Sequence, residues 1–306
     1  MREYSQLHHL TNVLSEGYLP AYDEQINKIK SRGCLIGDET WAKEVIKQIN
    51  YYRLTAYFLP YKETEETYVE GTTFNNMYRT YQFDRKLRHL LYSTIEEIEI
   101  MLRAQLSYYH AHKYGPLGYK DPNNYNNMHN HEVFNAKIQE DLKQNKNKLA
   151  VKHHHEHYGG EFPIWVIIEL FTVSQLSFFY SDMLRADKKY IAKQLFQTTD
   201  TNISSWLRCF TELRNHCAHY SRLYNVDLPS KPATPKGINY RLKHKVFDYI
   251  LVLKFLYYDP IRWKSEFVTQ LSSLIEEYQS SIDLSLIGFP KNWEKLLTDP
   301  NPKMYK

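Results

Sequence analysis

The sequence predicts an all-α fold, and three observations carry that prediction. Apolar residues return at the helical period, most clearly at Leu91, Ile95, Ile98, Leu102 and Leu106. Glycine is scarce, 10 in 306 residues, and strong turn dipeptides are few, which suits helices better than a strand-rich barrel. A third stretch, 163–184, opens on Pro163, well suited to a first helical turn, and continues through Trp165, Val166, Ile167, Ile168, Leu170 and Phe171, apolar on nearly every side. Such a helix is expected to be central and buried, with Glu169 inside it needing a partner.

Three regions follow along the chain. Residues 1–80 read as a small helical part: Tyr22–Arg32, then Glu39–Asn50, separated by Gly33, Gly37 and Asp38, with the aromatic block Tyr51–Tyr61 after them. Residues 81–230 hold the long helices. Within them, Glu99 and Arg103 stand one turn apart in the favourable order for a helix pair. They form either an exposed ion pair worth about 0.3–0.5 kcal/mol or a pair with a positioning role. The Asn-rich start of 121–148 reads as a loop and its Lys-rich end as a solvated helix. Residues 231–306 begin within a Pro-bearing connection, LPSKPATPKG, and return to amphipathic helices.

Composition bounds the function. No apolar run reaches about 18 residues, so no membrane span is expected, and the start MREYSQLHHL lacks the apolar core of a signal peptide. Cys34, Cys209 and Cys217 form neither a C-x-x-C pair nor a disulfide framework, so a reducing cytoplasm is the natural compartment. A net charge of +4 permits an RNA partner without requiring one. The 27 tyrosines include Tyr51, Tyr52 and Tyr57 around Arg53, a mixture that can stack on unpaired bases or line helix contacts. In Lys152–His157, His153 and His157 are four apart, but no H-E-x-x-H spacing or cysteine motif accompanies them; the run reads as the end of a solvated helix, and no metal or other cofactor is expected.

The most informative stretch is 213–225, LRNHCAHYSRLYN. Trp206, Phe210, Leu213, Cys217, Tyr220 and Tyr224 make one apolar stripe at intervals of four and three, so a helix is expected, capped by Ser204 or Ser205. Arg208, Glu212, Asn215, His219 and Arg222 cluster opposite that stripe, while Arg214 stands about 140° from His219 on an ideal helix. The R-N-x-x-x-H spacing of Arg214, Asn215 and His219 supplies an imidazole that moves protons near neutral pH and a guanidinium suited to a phosphate under attack. Arg and His opposite a core stripe also occur on plain surface helices.

The flanking sequence resembles a known family. LRNHCAHYSRLYN is similar to the L-R-N-x-C-A-H-H-x-R-L-W-N block of Abi-like abortive-infection proteins of the AbiD/AbiF type, within the HEPN superfamily. In the same order, NYYRLTAYFLPY (50–61), EGTTF (70–74), YQFDRKLRHLLYSTIEEIEIMLRAQL (81–106), PIWVIIEL (163–170) and the Gly288-Phe289-Pro290 to Trp293 stretch resemble further family blocks. Ala56, Gln175, Tyr220 and Tyr224 depart from the usual Gly, Gly, His and Trp.

The resemblance implies a HEPN-type bundle over 81–230, with a helical N-terminal region at 1–80 and C-terminal helices at 231–306 packing on it. It implies a metal-independent endoribonuclease of phage defence, with Arg214, Asn215 and His219 catalytic and Arg222, Glu99, Arg103 and Asn225 in support. Two copies of the motif are expected to meet in a homodimer. Tyr51, Tyr52, Arg53 and Tyr57 are the candidate RNA contacts. The alternative is an RNA-binding protein of the same fold that holds a structured non-coding RNA without cutting it.

Overall fold

The computed structural model describes residues 21–300, and over them the fold is all-α: helices and 3-10 turns joined by loops, with isolated β-bridges and no strand. The start MREYSQLHHL lies outside the described residues. No described helix is long and apolar enough to cross a membrane. Two compact units divide the described chain, one running up to Asp84 together with Tyr278–Ile282, the other Arg85–Glu277 with the residues from Asp283 onward.

In the first unit, α1 (Tyr22–Ser31) buries Ile26 and Ile29, and α2 (Glu39–Gln48) buries Ala42, Val45 and Ile46. Asp38 caps α2, its carboxylate accepting from the Trp41 N–H at 2.9 Å. Asn50 caps the short α3 (Tyr51–Thr55) in the same way through Tyr52 N–H, and a 3-10 turn follows over Ala56–Tyr61. Trp41 packs edge-on against Phe74 and Tyr78 at 5.6 and 5.3 Å, closing this small core.

The helix α4 (Phe74–Tyr114) enters the second unit at Arg85. There the predicted stripe of Leu91, Ile95, Ile98, Leu102 and Leu106 is fully buried. After it come α5 (His131–Gln144), α6 (Leu149–His157), α7 (Ile164–Ile167), α8 (Val173–Asp182), α9 (Arg185–Phe196), α10 (Asp200–Ala218), α11 (Val246–Leu256), α12 (Pro260–Arg262), α13 (Thr269–Tyr278) and α14 (Trp293–Thr298). A π-helical turn, Trp263–Val268, joins α12 to α13. The helix α10 packs against α8, α9 and α11.

The Asn-rich loop is stitched to the end of α8, where Asn126 N–H donates to the Asp182 carbonyl at 2.8 Å and its side chain to that of Ser181 at 2.8 Å. Every residue of α11 is buried, so this helix is central and not amphipathic as the sequence suggests.

The expected single helix over 163–184 is broken. The helix α7 gives way to a 3-10 turn at Ile168–Leu170, and α8 starts afresh after Thr172, whose hydroxyl accepts from Gln175 N–H while the Gln175 side chain accepts from Thr172 N–H. Nor is the segment buried on all sides: Glu169 is exposed and Trp165 half-exposed, so Glu169 needs no buried partner.

One buried group makes stability depend on pH. His110, 1% exposed on α4, lies among Tyr114, Tyr125 and Phe179, and neither ring nitrogen has a hydrogen-bond partner among the described residues. Burial pushes its imidazole down to about 4, against a smaller opposing pull from Asp187. The unfolded chain takes up this proton near its ordinary value of about 6.5 while the folded chain refuses it, so stability falls as pH drops from about 6.5 towards about 4, by about 1.4 kcal/mol per unit of depression. His110→Phe should therefore shift its urea midpoint less than the wild type between pH 7 and pH 5. Equal shifts in the two proteins would refute the assignment.

Candidate functional site

The site is built on the C-terminal half of α10. Thr199 caps this helix, its hydroxyl accepting from Asn202 N–H at 3.2 Å, so α10 begins before the expected Ser204 or Ser205. Those serines serve otherwise: Ser204 donates to the Asp200 carbonyl at 3.0 Å, and Ser205 accepts from Ala233 N–H at 2.9 Å. Trp206, Phe210, Leu213 and Cys217 are buried as the stripe predicts. The stripe then stops, because the helix ends at Ala218.

The ending is a Schellman turn. Tyr220 N–H donates to the Cys217 carbonyl at 3.2 Å and Ser221 N–H to that of His216 at 2.9 Å, with Tyr220 at φ 57 in the left-handed position that usually falls to glycine. Tyr220 is therefore exposed instead of continuing the core stripe, and the chain re-enters the core at Leu223 and Tyr224. The Tyr224 hydroxyl accepts from Asp283 N–H at 2.7 Å.

His219 stands at the exposed helix tip, its own N–H donating to the Asn215 carbonyl at 2.9 Å. Asn215 and His219 are thus one turn apart, and neither side chain makes a hydrogen bond within the described residues. Arg222 is half-buried in the loop beyond, and Asn225 is left-handed at φ 53.

Arg214 turns towards α4. Its Nε is buried and lies 3.8 Å from Glu99 Oε2, an ion contact longer than a hydrogen bond. The other carboxylate oxygen of Glu99 accepts from Arg103 Nη2. Arg103 also donates through Nη1 to the Ile168 carbonyl and through Nη2 to that of Phe171, the latter at 2.7 Å. The side chains of Arg103 and Glu99 are only 9% and 18% exposed, which excludes the exposed-pair reading of Glu99 and Arg103.

The structure therefore joins Arg214 to Glu99 and Arg103, and Asn215 to His219, as two neighbouring groups of one helix end. Arg88, a residue the sequence reading did not single out, bears on the same place. It is buried on α4 and donates to the Ser221 carbonyl at 3.2 Å, holding the turn that presents His219. Its signal lay in the FDRKLR run, where it is the second arginine.

The rest of the polar face of α10 is divided. Glu212 accepts from Ser230 Oγ at 2.5 Å and Tyr249 OH at 2.6 Å, tying down the Pro-bearing connection. Arg208 is exposed and helps line a cleft of about 570 Å³ between α8 and α10, with Phe178 exposed among the lining residues.

Of the aromatic candidates, Tyr57 is buried and donates to Asp84 at 2.5 Å, which removes it from any base-stacking surface. Tyr51 is half-buried, edge-on to Tyr52 at 5.5 Å, while Tyr52 and Arg53 are exposed. His153 and His157, with ring centroids 4.7 Å apart, end the exposed face of α6. No group of three or more His, Cys, Asp or Glu side chains among the described residues could hold a metal ion.

Compared with known proteins, residues 44–225, more than half of the chain, match the sequence model of a family described as "Abi-like protein". No curated protein and no solved structure matches the chain.

The buried pair makes a stability prediction. Arg103→Met takes the hydrogen-bond donor from the partly buried Glu99 carboxylate and from the Phe171 carbonyl, and one of two donors from the Ile168 carbonyl, a loss expected to cost about 3–5 kcal/mol. Urea unfolding measures it; a cost below about 1 kcal/mol would class the pair with ordinary surface ion pairs.

Proposed function

The chain belongs to the Abi-like family, and on that premise we propose that it is a metal-independent endoribonuclease of abortive infection against phage, with a HEPN-type bundle as its catalytic part. The observation that carries this reading is the exposed His219 at the tip of α10, beside Asn215 and next to an Arg214 held by Glu99.

The imidazole of His219 takes the proton from a ribose 2′-hydroxyl. The 2′-oxygen attacks phosphorus, and the P–O5′ bond breaks, leaving a 2′,3′-cyclic phosphate and a 5′-hydroxyl. Arg214 carries the negative charge that grows on the phosphate oxygens. Asn215, with a side-chain amide that makes no hydrogen bond among the described residues, orients the phosphate or the imidazole. Glu99 and Arg103 position Arg214, and Arg222 and Asn225 shape the loop around the site. RNA is the substrate, approached along the cleft beside Arg208, and the protein works in the cytoplasm, where its buried free cysteines stay reduced.

The leaving 5′-oxygen needs a proton of its own, and in an in-line attack it departs on the side of phosphorus opposite the 2′-oxygen, out of reach of the imidazole placed at the 2′-hydroxyl. A second copy of α10 across a two-fold axis supplies another His219, so the active form is a homodimer.

The test is a cleavage assay on single-stranded RNA with wild type, His219→Ala and Arg214→Ala, in excess EDTA. The wild type should cut and leave 2′,3′-cyclic phosphate ends. Each variant should lose at least about 100-fold in rate, the usual scale for a proton-transfer group, with unchanged circular dichroism. Cleavage that stops with EDTA and returns with magnesium, or a His219→Ala protein that cuts at the wild-type rate, sinks the mechanism. RNA bound tightly but never cut would instead assign the protein to holding a structured non-coding RNA.

The dimer is checked separately by light scattering at micromolar concentration. Twice the monomer mass is expected, and a monomer both free and with RNA overturns the shared site.

A further inference from the structure

A second pocket, of about 290 Å³, lies where the C-terminal end of α5 meets the turn after α6. None of its lining residues belongs to the R-N-x-x-x-H motif or its supports. Its floor includes Tyr119 and Phe162, both buried and fixed to each other by a hydrogen bond from Tyr119 OH to the Phe162 carbonyl at 2.8 Å. Around them stand Lys120, Lys143, Lys146 and His155, brought from three separate parts of the chain.

The charge of this ring is not balanced from within. Lys120 pairs with the exposed Glu161 at 3.1 Å, while Lys143 and Lys146 make no ion pair among the described residues. Lysines near a helix C-terminus favour the helix dipole, which accounts for Lys143 in the last turn of α5. It does not account for their convergence with Lys120 and His155 on one small concavity, where the unpaired ammonium groups of Lys143 and Lys146 favour an anion.

The geometry around His155 is specific as well. Its ring lies edge-on to Phe162 at 5.1 Å and folds over Gly160, where an added Cβ would stand 3.2 Å from Nδ1 on a backbone already at φ 78.

We propose that this pocket binds the phosphate group of a nucleotide, the lysines and His155 taking the phosphate while the sugar or base rests on the Tyr119 and Phe162 floor. Its size is at the small end for ligand pockets, and an apolar floor with a few convergent polar groups is their usual make-up. The phosphate belongs either to a free nucleotide or to an RNA chain; both present the same group to the same side chains. The inference does not rest on the cleavage reading, because none of its residues takes part in that chemistry.

The experiment is titration calorimetry of the full chain with adenosine 5′-monophosphate, adenosine and a short 5′-phosphorylated oligoribonucleotide, for wild type, His219→Ala and Lys143→Glu/Lys146→Glu. Saturable binding of the monophosphate or of the oligonucleotide is expected, with adenosine at least about tenfold weaker, equivalent to about 1.4 kcal/mol. The double lysine variant should lose at least about tenfold in affinity with an unchanged thermal midpoint, and His219→Ala should bind the monophosphate as the wild type does. Binding of both probes assigns the source to a free nucleotide or a chain end, and binding of the oligonucleotide alone to an RNA chain. No saturable binding of either probe, adenosine binding as tightly as its phosphate, or a double variant within about twofold of wild type overturns the proposal.

Discussion

The guanidinium of Arg103 is the constraint on which the second unit depends. A buried cation is costly unless every donor finds an acceptor. Arg103 spends its donors on Glu99 and on the carbonyls of Ile168 and Phe171. Those carbonyls become available because the helix that begins at Ile164 tightens to a 3-10 turn and stops before Thr172. The break and the arginine therefore explain each other: an uninterrupted helix would engage those carbonyls itself, and without Arg103 the Phe171 carbonyl would be buried and unpaired, while that of Ile168 would keep only the Phe171 N–H at 3.3 Å. The break in turn frees α8 to start with its own cap and to pack against α10, the helix that carries the motif.

The end of α10 is a second constraint, set by backbone geometry. A helix that continued past Ala218 would carry Tyr220 into the core stripe and leave His219 part-way along a helix face. The left-handed Tyr220 stops it, at a steric cost of about 1–2 kcal/mol for a residue other than glycine. The Schellman hydrogen bonds and the grip of Arg88 on the Ser221 carbonyl offset that cost. His219 gains an exposed, fixed position that a mid-helix residue would lack.

What the sequence made legible follows from the range of the forces involved. The α4 stripe and the Leu213–Cys217 part of α10 are local periodicities, and the burial of Leu91 through Leu106 matches them. The α10 start was misplaced because Thr199, Ser204 and Ser205 are all competent caps, and only the contact of Ser205 with Ala233 decides among them. The break at Phe171 was invisible for a similar reason: its cause lies 68 residues earlier, at Arg103. Tyr57 reads in sequence like its neighbours Tyr51 and Tyr52, yet its partner Asp84 draws it inside. The turn at Tyr220 was missed because glycine, its usual signal, is absent.

The same ionic group bears on how much charge Arg214 can offer. Were Glu99 paired with Arg214 alone, the two would neutralise each other, and an incoming phosphate would meet little net charge. Glu99 is shared, however, and its contact with Arg103 is a direct hydrogen bond whereas Arg214 stands at 3.8 Å. Two cations and one carboxylate leave a net charge of +1, and the more buried Arg103 holds Glu99 the more tightly. Arg214 is thereby oriented by a carboxylate that another residue has already largely neutralised. In the proposed reaction that arrangement keeps a guanidinium in place before substrate arrives while leaving its charge for the phosphate, so little reorganisation is needed at the moment of attack. Arg103 then has two consequences from one position, fixing the helix break and setting the electrostatics of the residue one layer nearer the solvent.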